Sequence, residues 1–345
     1  MTGKTWNIGI IGSGTIAAVH AQAIKEIPNA HLAGFCDNGS GRSGQLAMQY
    51  HCKAYENYRQ MLHDPAIDIV IIATPSGMHM QPAIDAAYCK KHVLCEKPME
   101  ITPSRIDKMI EAHEKNGTYL GGIFNFRYNE AIPHVKKAID SGRMGVLTYA
   151  AVYIPWWRSD EYYGNSWRGT WQWDGGGALM NQGIHMVDIL QYLMGPVKKL
   201  QAYTATLGHR GIETEDTAVC ILQFANHALG YIYATTASFP GRFRQLEITG
   251  TQGTIVMKEN SITEWTFDTP YPDDDMIRNS FAGIEGGGGT SNPAAISHIN
   301  HRKNIEAFIH AIEEQKPFDI DGKEARKAVE IICQIYRAAG KHFSE

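Results

Sequence analysis

Three polar side chains interrupt an otherwise apolar stretch, GGGALMNQGIHMVDIL, which spans residues 175–190. Asn181, His185 and Asp188 are spaced at i, i+4 and i+7, so in a helix they share one stripe. Burying polar groups costs free energy unless each of them finds a partner. Either the stripe is satisfied inside one domain, or it faces a cleft in which it does chemistry. An imidazole suits the second case, because its ordinary pKa of about 6.5 lets it exchange protons near neutral pH.

A second informative segment, GIIGSGTIA, ends an apolar strand pattern and opens a helical one. Its G-x-G-x-x-A spacing permits a tight turn and presents a helix N-terminus to a pyrophosphate. Asp37 follows 23 residues after Gly14, where a carboxylate binds the adenosine ribose. This carboxylate favours NAD, and Arg42, which can accept a 2′-phosphate, leaves NADP as the alternative. The predicted cofactor-binding residues here are Gly12, Ser13, Gly14, Thr15, Ile16, Asp37 and Arg42.

Five of the seven tryptophans lie in one segment, PWWRSDEYYGNSWRGTWQWD. Aromatic faces pack against the C–H faces of pyranose rings, while arginine and tyrosine bind hydroxyls. The segment therefore predicts either a carbohydrate pocket or a hydrophobic edge that packs against a neighbouring subunit. Both interpretations are compatible if different residues of the segment take the two roles. Its aromatic and basic residues are Trp156, Trp157, Arg158, Tyr162, Tyr163, Trp167, Arg168, Trp171 and Trp173.

The elements that must position these residues fall into two sets. Up to about Phe124, short apolar strands alternate with helices, which indicates a parallel sheet covered on both faces. Beyond it, six strand patterns follow one another without helices between them, which indicates an open antiparallel sheet. Two helices, near 296–314 and 322–341, close the chain, after a loop rich in Gly, Pro and Asp at 269–293. The predicted fold class is α/β, with domains at 1–123 and 124–345.

Composition narrows the classes of function. The net charge is −4, with no run of one sign, so we expect no nucleic-acid partner. No apolar run approaches the roughly 18 residues of a membrane span, and a strand pattern begins too early for a signal peptide. The six cysteines are scattered without a Cys-x-x-Cys pair, which predicts no metal site and a reduced cytoplasmic compartment.

The order of several motifs resembles the glucose-fructose oxidoreductase and inositol dehydrogenase family (Gfo/Idh/MocA). These motifs are ATPSGMH, Glu96-Lys97-Pro98, FNFRYNEAIPHVKKAIDSGRMG, WRGTW, GGGALMNQGIHMVD and EDTA, and they span nearly the whole chain. The resemblance implies a Rossmann domain followed by a large open-sheet domain. It also implies a homodimer or homotetramer formed through that sheet, and hydride transfer on a sugar or cyclitol at the domain interface.

The resemblance also assigns residues to roles. Lys97 is expected between the nicotinamide ribose and the substrate, with His185 taking the hydroxyl proton. Asn181 is expected to hydrogen-bond the substrate or Lys97 and so to orient it. Asp188 is expected to orient His185 or brace its helix. Further cofactor-binding residues implied by the resemblance are Thr74, Pro75, Ser76, His79, Glu96, Lys97 and Asn125. The expected substrate-binding residues are Arg127, Tyr153, Trp157, Arg158, Tyr163, Trp167, Arg168, Asn181 and His185.

One departure from the family pattern leaves alternatives open. The family most often has an acid where this chain has Asn181, although members resembling UDP-N-acetylglucosaminuronate 3-dehydrogenases also carry asparagine. The leading hypothesis is an NAD(P)-dependent dehydrogenase that interconverts a ring CH–OH and a ketone. The alternatives are a UDP-N-acetyl-sugar uronate 3-dehydrogenase and a non-enzymatic, cofactor-sensing regulator on the same fold.

Overall fold

The computed structural model describes residues 4–164, 167–283 and 297–341. Its first sheet is entirely parallel, with the strand order β3-β2-β1-β4-β5-β6. Every residue of β4 is buried, as expected for a parallel sheet covered on both faces. This order confirms the predicted Rossmann sheet. The strands are β1 (Trp6–Ile11), β2 (Ala30–Cys36), β3 (Lys53–Tyr55), β4 (Ile69–Ile72), β5 (His92–Cys95) and β6 (Leu120–Gly122).

Capping residues mark the ends of helices in this half, as the fifth helix shows. Thr102 accepts a hydrogen bond from the backbone N–H of Arg105, Pro103 occupies the first turn of α5, and Gly117 ends the helix at a φ of 65°. The short elements β3, α2 and α3 lie between the strands and helices that the sequence patterns identify. The helices are α1 (Thr15–Lys25), α2 (Arg42–Tyr50), α3 (Tyr58–His63), α4 (Met80–Tyr88) and α5 (Pro103–Asn116).

The second sheet has seven strands in the order β13-β12-β11-β7-β10-β9-β8. Its pairs are antiparallel except β7 with β10, so the predicted open, mainly antiparallel sheet is confirmed. Strand β7 (Leu147–Pro155) is not among the strands that the pattern indicates, because two alanines weaken its strand signal. The others are β8 (Val197–Ala205), β9 (Thr217–Phe224), β10 (Leu229–Thr235), β11 (Gln245–Gly250), β12 (Gly253–Lys258) and β13 (Ser261–Phe267).

Two closing helices contact both halves of the molecule. Helix α10 packs on α1, and α11 packs on α5 and α8, so the domain boundary between 123 and 124 stays a prediction. Residues 284–293 of the predicted loop lie outside the described residues, and α9 forms in the earlier part of that loop. The helices are α6 (Ala131–Asp140), α7 (Asp160–Tyr163), α8 (Ile184–Met194), α9 (Asp274–Ser280), α10 (Ile299–Glu313) and α11 (Gly322–Ala338).

Candidate active site at the junction of the two sheets

The turn after β1 is shaped for a dinucleotide. Gly12 has a φ of 121°, and a Cβ there would lie 2.4 Å from the carbonyl oxygen of Ala73. Gly14 caps α1 without a side-chain hydrogen bond, and a Cβ built on it meets nothing within 4 Å. The helix N-terminus therefore has uncapped N–H groups beside open space, which suits a pyrophosphate.

Asp37 follows β2 at the same edge of the sheet. Burial alone would raise the pKa of its carboxyl, but hydrogen bonds from Ser43, Ser40 and the backbone of Gly39 lower it to about 2. The carboxylate also lies 3.4 Å from the Ser13 hydroxyl, so it is charged and held toward the glycine turn. Asp37 and the turn together fit the ribose and pyrophosphate of NAD.

The loop after β4 has the positions that the sequence suggested for cofactor contacts. The Thr74 Oγ1 atom is buried and has no hydrogen-bond partner among the described residues. His79 does not face open space, because its two ring nitrogens lie 3.0 Å from the Pro98 carbonyl and 2.9 Å from the Thr74 carbonyl. Its imidazole therefore joins the loop after β4 to the segment that contains Lys97, which corrects the expectation of a cofactor contact.

Glu96 was predicted to bind cofactor, but its carboxylate is used within the protein. One oxygen lies 2.7 Å from His20 Nε2 on α1, and the other accepts the Lys97 backbone N–H at 3.0 Å. Burial would raise the pKa of the Glu96 carboxyl, and the contact with His20 lowers it to about 2. Asn125, also predicted at the cofactor, contacts His301 on α10 at 3.4 Å through its amide nitrogen, whereas its buried Oδ1 atom has no hydrogen-bond partner among the described residues. Glu96 therefore holds the Lys97 segment against the helix that begins at the glycine turn.

Lys97 reaches across to the second half of the chain. Its Nζ donates a 2.7 Å hydrogen bond to the backbone carbonyl of Asn181. Burial lowers the pKa of the ammonium, with Arg158 and Arg168 adding to the effect, whereas Glu96 and Asp174 oppose it. The contact to Asn181 was expected, but it uses the main chain, while the side chain of Asn181 donates to Asp174 at 2.7 Å.

The segment 175–190, which we call the glycine-run helix, carries the polar stripe of Asn181, His185 and Asp188. These three residues do not share one environment in the structure. Residues Ala178–Gly183 form a π-helical turn and α8 continues from Ile184, so the stripe does not lie on one regular helix. His185 stacks on Phe126 with ring centroids 4.3 Å apart. Burial, followed by the positive charge of Lys97, lowers the pKa of His185 well below its ordinary value. The imidazole is therefore neutral at neutral pH and able to accept a proton.

Asp188 and Arg127 form a buried ion pair instead of acting on a ligand. Two guanidinium nitrogens of Arg127 donate to the Asp188 carboxylate at 2.7 and 2.6 Å, and one also reaches Glu324 at 2.8 Å. Both side chains of the bidentate pair are nearly inaccessible to solvent. Asp188 thus braces α8. Two of the three guanidinium nitrogens of Arg127 are engaged by carboxylates, which does not support the prediction that Arg127 binds substrate.

The aromatic segment is also divided. The guanidinium groups of Arg158 and Arg168 lie 5.5 and 4.6 Å from the centroid of the Tyr162 ring. The positive charges of both arginines lower the pKa of Lys97. The rings of Trp167 and Tyr163 adjoin this group, with Trp167 5.1 Å from the Arg168 guanidinium. Trp157 instead packs on the exposed Phe239 beyond the ends of β7 and β10, at a centroid distance of 5.4 Å.

Tyr153 lies on the opposite side of the sheet from α8. Its neighbours in β7, Val152 and Ile154, belong to the core, and side chains alternate along a strand. Tyr153 contacts Tyr231 on the open side, with ring centroids 5.6 Å apart. Strand alternation therefore points the Tyr153 ring away from α8, and its role in substrate binding stays a prediction.

Glu215 was part of a family motif but had no role assigned from the sequence. Its carboxylate accepts hydrogen bonds from the backbone N–H groups of Gly177 and Leu179 and from the Tyr336 hydroxyl, all within 3.0 Å. A Cβ on Gly177 would lie 1.7 Å from the Glu215 carbonyl oxygen. Only glycine permits this approach, which explains the glycine run before the π-helical turn.

The glycine turn and Asp37 define a dinucleotide-binding protein. The NAD-binding Rossmann domain of the oxidoreductase family matches residues 6–122, and the Gfo/Idh/MocA C-terminal domain matches residues 132–256. The chain belongs to the Gfo/Idh/MocA family. Among the described residues, no helix is long and apolar enough to cross a membrane, and no cluster of His, Cys, Asp or Glu has the arrangement of a metal site.

The chain is similar to several named dehydrogenases. The WlbA dehydrogenase of Bordetella pertussis, solved with NADH and UDP-GlcNAcA, has a TM-score of 0.88 and 32% identity over 99% of this chain and 97% of its own. Levoglucosan dehydrogenase of Pseudarthrobacter phenanthrenivorans is 28% identical, covering 72% of this chain and 73% of its own. Myo-inositol 2-dehydrogenase of Thermotoga maritima is 29% identical, with coverages of 72% and 74%.

The charged Asp37 carboxylate generates a prediction on cofactor choice. We expect NADH to bind more tightly than NADPH, because the carboxylate repels a 2′-phosphate. Asp37→Ser should narrow the difference in Kd, as measured by fluorescence titration of each reduced cofactor. Asp268→Asn, at an exposed position far along the chain, serves as the control. Equal or tighter NADPH binding by the parent protein would contradict the assignment.

Proposed function

We propose that this protein is an NAD-dependent dehydrogenase that interconverts a ring CH–OH and a ketone on a sugar, sugar derivative or cyclitol. The observation that carries the proposal is the meeting of Lys97, from the cofactor half, with the Asn181–His185 segment of the other half. Bound NAD supplies the acceptor for the hydride that leaves the carbinol carbon. The relatives named above act in this chemical class, which supports the assignment.

The residues of the chain divide the proton chemistry between them. Neutral His185 accepts the hydroxyl proton during oxidation and returns it during reduction. The Lys97 ammonium stabilises the negative charge that develops on the oxygen, and its charge also keeps His185 neutral beforehand. Phe126 fixes the plane of the imidazole by stacking. The tyrosines and arginines near Tyr162 then hold the remaining hydroxyls of the ring.

A nucleotide-linked sugar uronate is the second candidate substrate. The WlbA dehydrogenase aligns along almost the entire chain at 32% identity, and it was solved with UDP-GlcNAcA. Arg158 and Arg168 near Lys97 create a positive environment that suits a carboxylate. A regulatory role without catalysis is less well supported, because a cofactor sensor does not require both Lys97 and His185.

Turnover of site variants tests the proposed roles. A panel of free sugars, cyclitols, glycosides and UDP-sugars, each with NAD and NADP, first identifies a substrate by formation of reduced nicotinamide. His185→Ala should then lower kcat by about 10²–10⁴-fold while NADH still binds, because it removes the proton acceptor. Lys97→Ala should lower kcat by a comparable factor.

One control variant makes this result specific. Arg127→Lys alters a nearby buried ion pair and should affect thermal stability more than kcat. Parent-like turnover in both His185→Ala and Lys97→Ala would contradict the roles. The absence of nicotinamide reduction with every compound, despite tight NADH binding, would favour the regulatory alternative.

We further propose that the protein forms a homodimer or homotetramer through the open side of the second sheet. Strand registers place apolar and aromatic residues in rows across β8, β9, β10 and β7 on this side. Tyr203, Ile221 and Leu229 are 86, 54 and 58% exposed, and a contiguous apolar surface of this kind marks an interface. The rows consist of Tyr203, Val219, Tyr233 and Tyr153, then Ile221 and Tyr231, then Leu229 and Tyr149.

Sedimentation tests this surface. The parent should be a dimer or larger at micromolar concentration, and Ile221→Arg should dissociate it, because a charge would be buried in the contact. Tyr88→Arg changes an equally exposed aromatic residue away from the sheet and should leave the mass unchanged. A monomeric parent, or an Ile221→Arg variant of parental mass, would contradict the proposal.

We also propose that the protein works in the cytoplasm. All six cysteines are described and none forms a disulfide. Four of them are buried, where they act as small apolar side chains. Free thiols in this number suit a reducing compartment.

A further inference from the structure

Asp174 is an acid at the candidate site that the proposed mechanism does not use. It lies directly before the glycine run, and its side chain is 1% exposed. One carboxylate oxygen accepts the Gly169 backbone N–H at 3.0 Å, and the other accepts the Asn181 side-chain amide at 2.7 Å. A buried carboxylate with two short hydrogen bonds has a fixed position.

The contacts connect Asp174 to the reacting centre through a single residue. The carbonyl of Asn181 accepts the Lys97 ammonium, while its amide nitrogen donates to Asp174. The Asn181 amide oxygen is 3.1 Å from Gln182 Nε2, so the side chain is held at both ends. Asp174 therefore fixes the residue whose carbonyl holds Lys97.

The negative charge of Asp174 also affects the protonation of Lys97. The ionisable groups that act on Lys97 include two acids and two arginines, so removing one acid leaves positive charge in excess. Burial raises the pKa of Asp174 to about 6, opposed by the hydrogen bonds from Gly169 and Asn181, so the carboxyl is ionised at neutral pH. The charged groups around Lys97 are Glu96, Asp174, Arg158 and Arg168, with His185 beside them.

We propose that Asp174 is a positioning residue for the dehydrogenase: its carboxylate orients Asn181 and supplies the counter-charge that keeps the Lys97 ammonium protonated. This role rests on the proposed function, because it gives Lys97 the charge that stabilises the developing alkoxide. The side chains of Asp174 and Asn181 are in direct contact, so the amide and the carboxylate can exchange places and keep one hydrogen bond. The exchanged pair retains an acid beside Lys97.

The test measures the titration of Lys97 without any substrate. Competitive acetylation of the lysines with acetic anhydride across pH, quantified by peptide mass spectrometry, gives the midpoint for Lys97. Asp174→Asn should lower that midpoint by about one pH unit, because burial is then less well opposed. The exchange variant Asp174→Asn/Asn181→Asp should return it to the parental value, and Asp268→Asn should not change it.

Each outcome decides the proposal. An unchanged Lys97 midpoint in Asp174→Asn overturns it, and so does a lowered midpoint that the exchange variant fails to restore. Thermal melting verifies folding, and Asp174→Ser, whose hydroxyl can still accept from Gly169, replaces Asp174→Asn if that variant does not fold. Because labelling uses no sugar, a shifted midpoint supports the role of Asp174 even if the dehydrogenase assignment fails. Dehydrogenase activity with an unshifted midpoint rejects Asp174 alone.

Discussion

The hydrogen bond between Lys97 and the Asn181 carbonyl is the constraint on which the rest of the site depends. It joins a loop of the parallel sheet to the start of the glycine-run helix, so neither half can form the site alone. The accepting carbonyl lies within the π-helical turn, where the backbone departs from the regular α-helical hydrogen-bonding ladder. π-Helical turns of this kind occur often at functional sites.

Further hydrogen bonds fix the positions of both the Lys97 segment and the Asn181 segment. On one side, Glu96 joins the Lys97 segment to His20 and therefore to the helix that begins at the glycine turn. On the other side, Glu215 and Tyr336 hold the backbone of the glycine run, where an added Cβ on Gly177 would overlap the Glu215 carbonyl. Burial of this whole arrangement accounts for the neutral His185 and the weakened basicity of Lys97.

Much of the fold was accessible from sequence because it depends on short-range patterns. The glycine turn, the alternating strands and helices before Phe124, and six strands of the second sheet each show a local signal, and the structure contains all of them. Such local signals did not indicate which side chains pair with each other in the folded protein. Arg127 finds Asp188 and Glu324 across 61 and 197 residues of chain, and no local pattern indicates that its charge is already paired. Asp174 could have been noticed as an acid directly before the glycine run, but its contact with Asn181 requires the turn between them.

In the proposed mechanism, a neutral, buried His185 takes the substrate proton beside a charged Lys97. The pH dependence of kcat/KM for oxidation tests it most directly, because this ratio reports ionisations of the free enzyme. A histidine whose folded pKa lies below the ordinary 6.5 must lose activity only at pH below that value, as the imidazole becomes protonated. We expect an acid limb below pH 6.5 that is absent from the residual activity of His185→Ala. An acid limb at or above 6.5, or the same limb in His185→Ala, would contradict it.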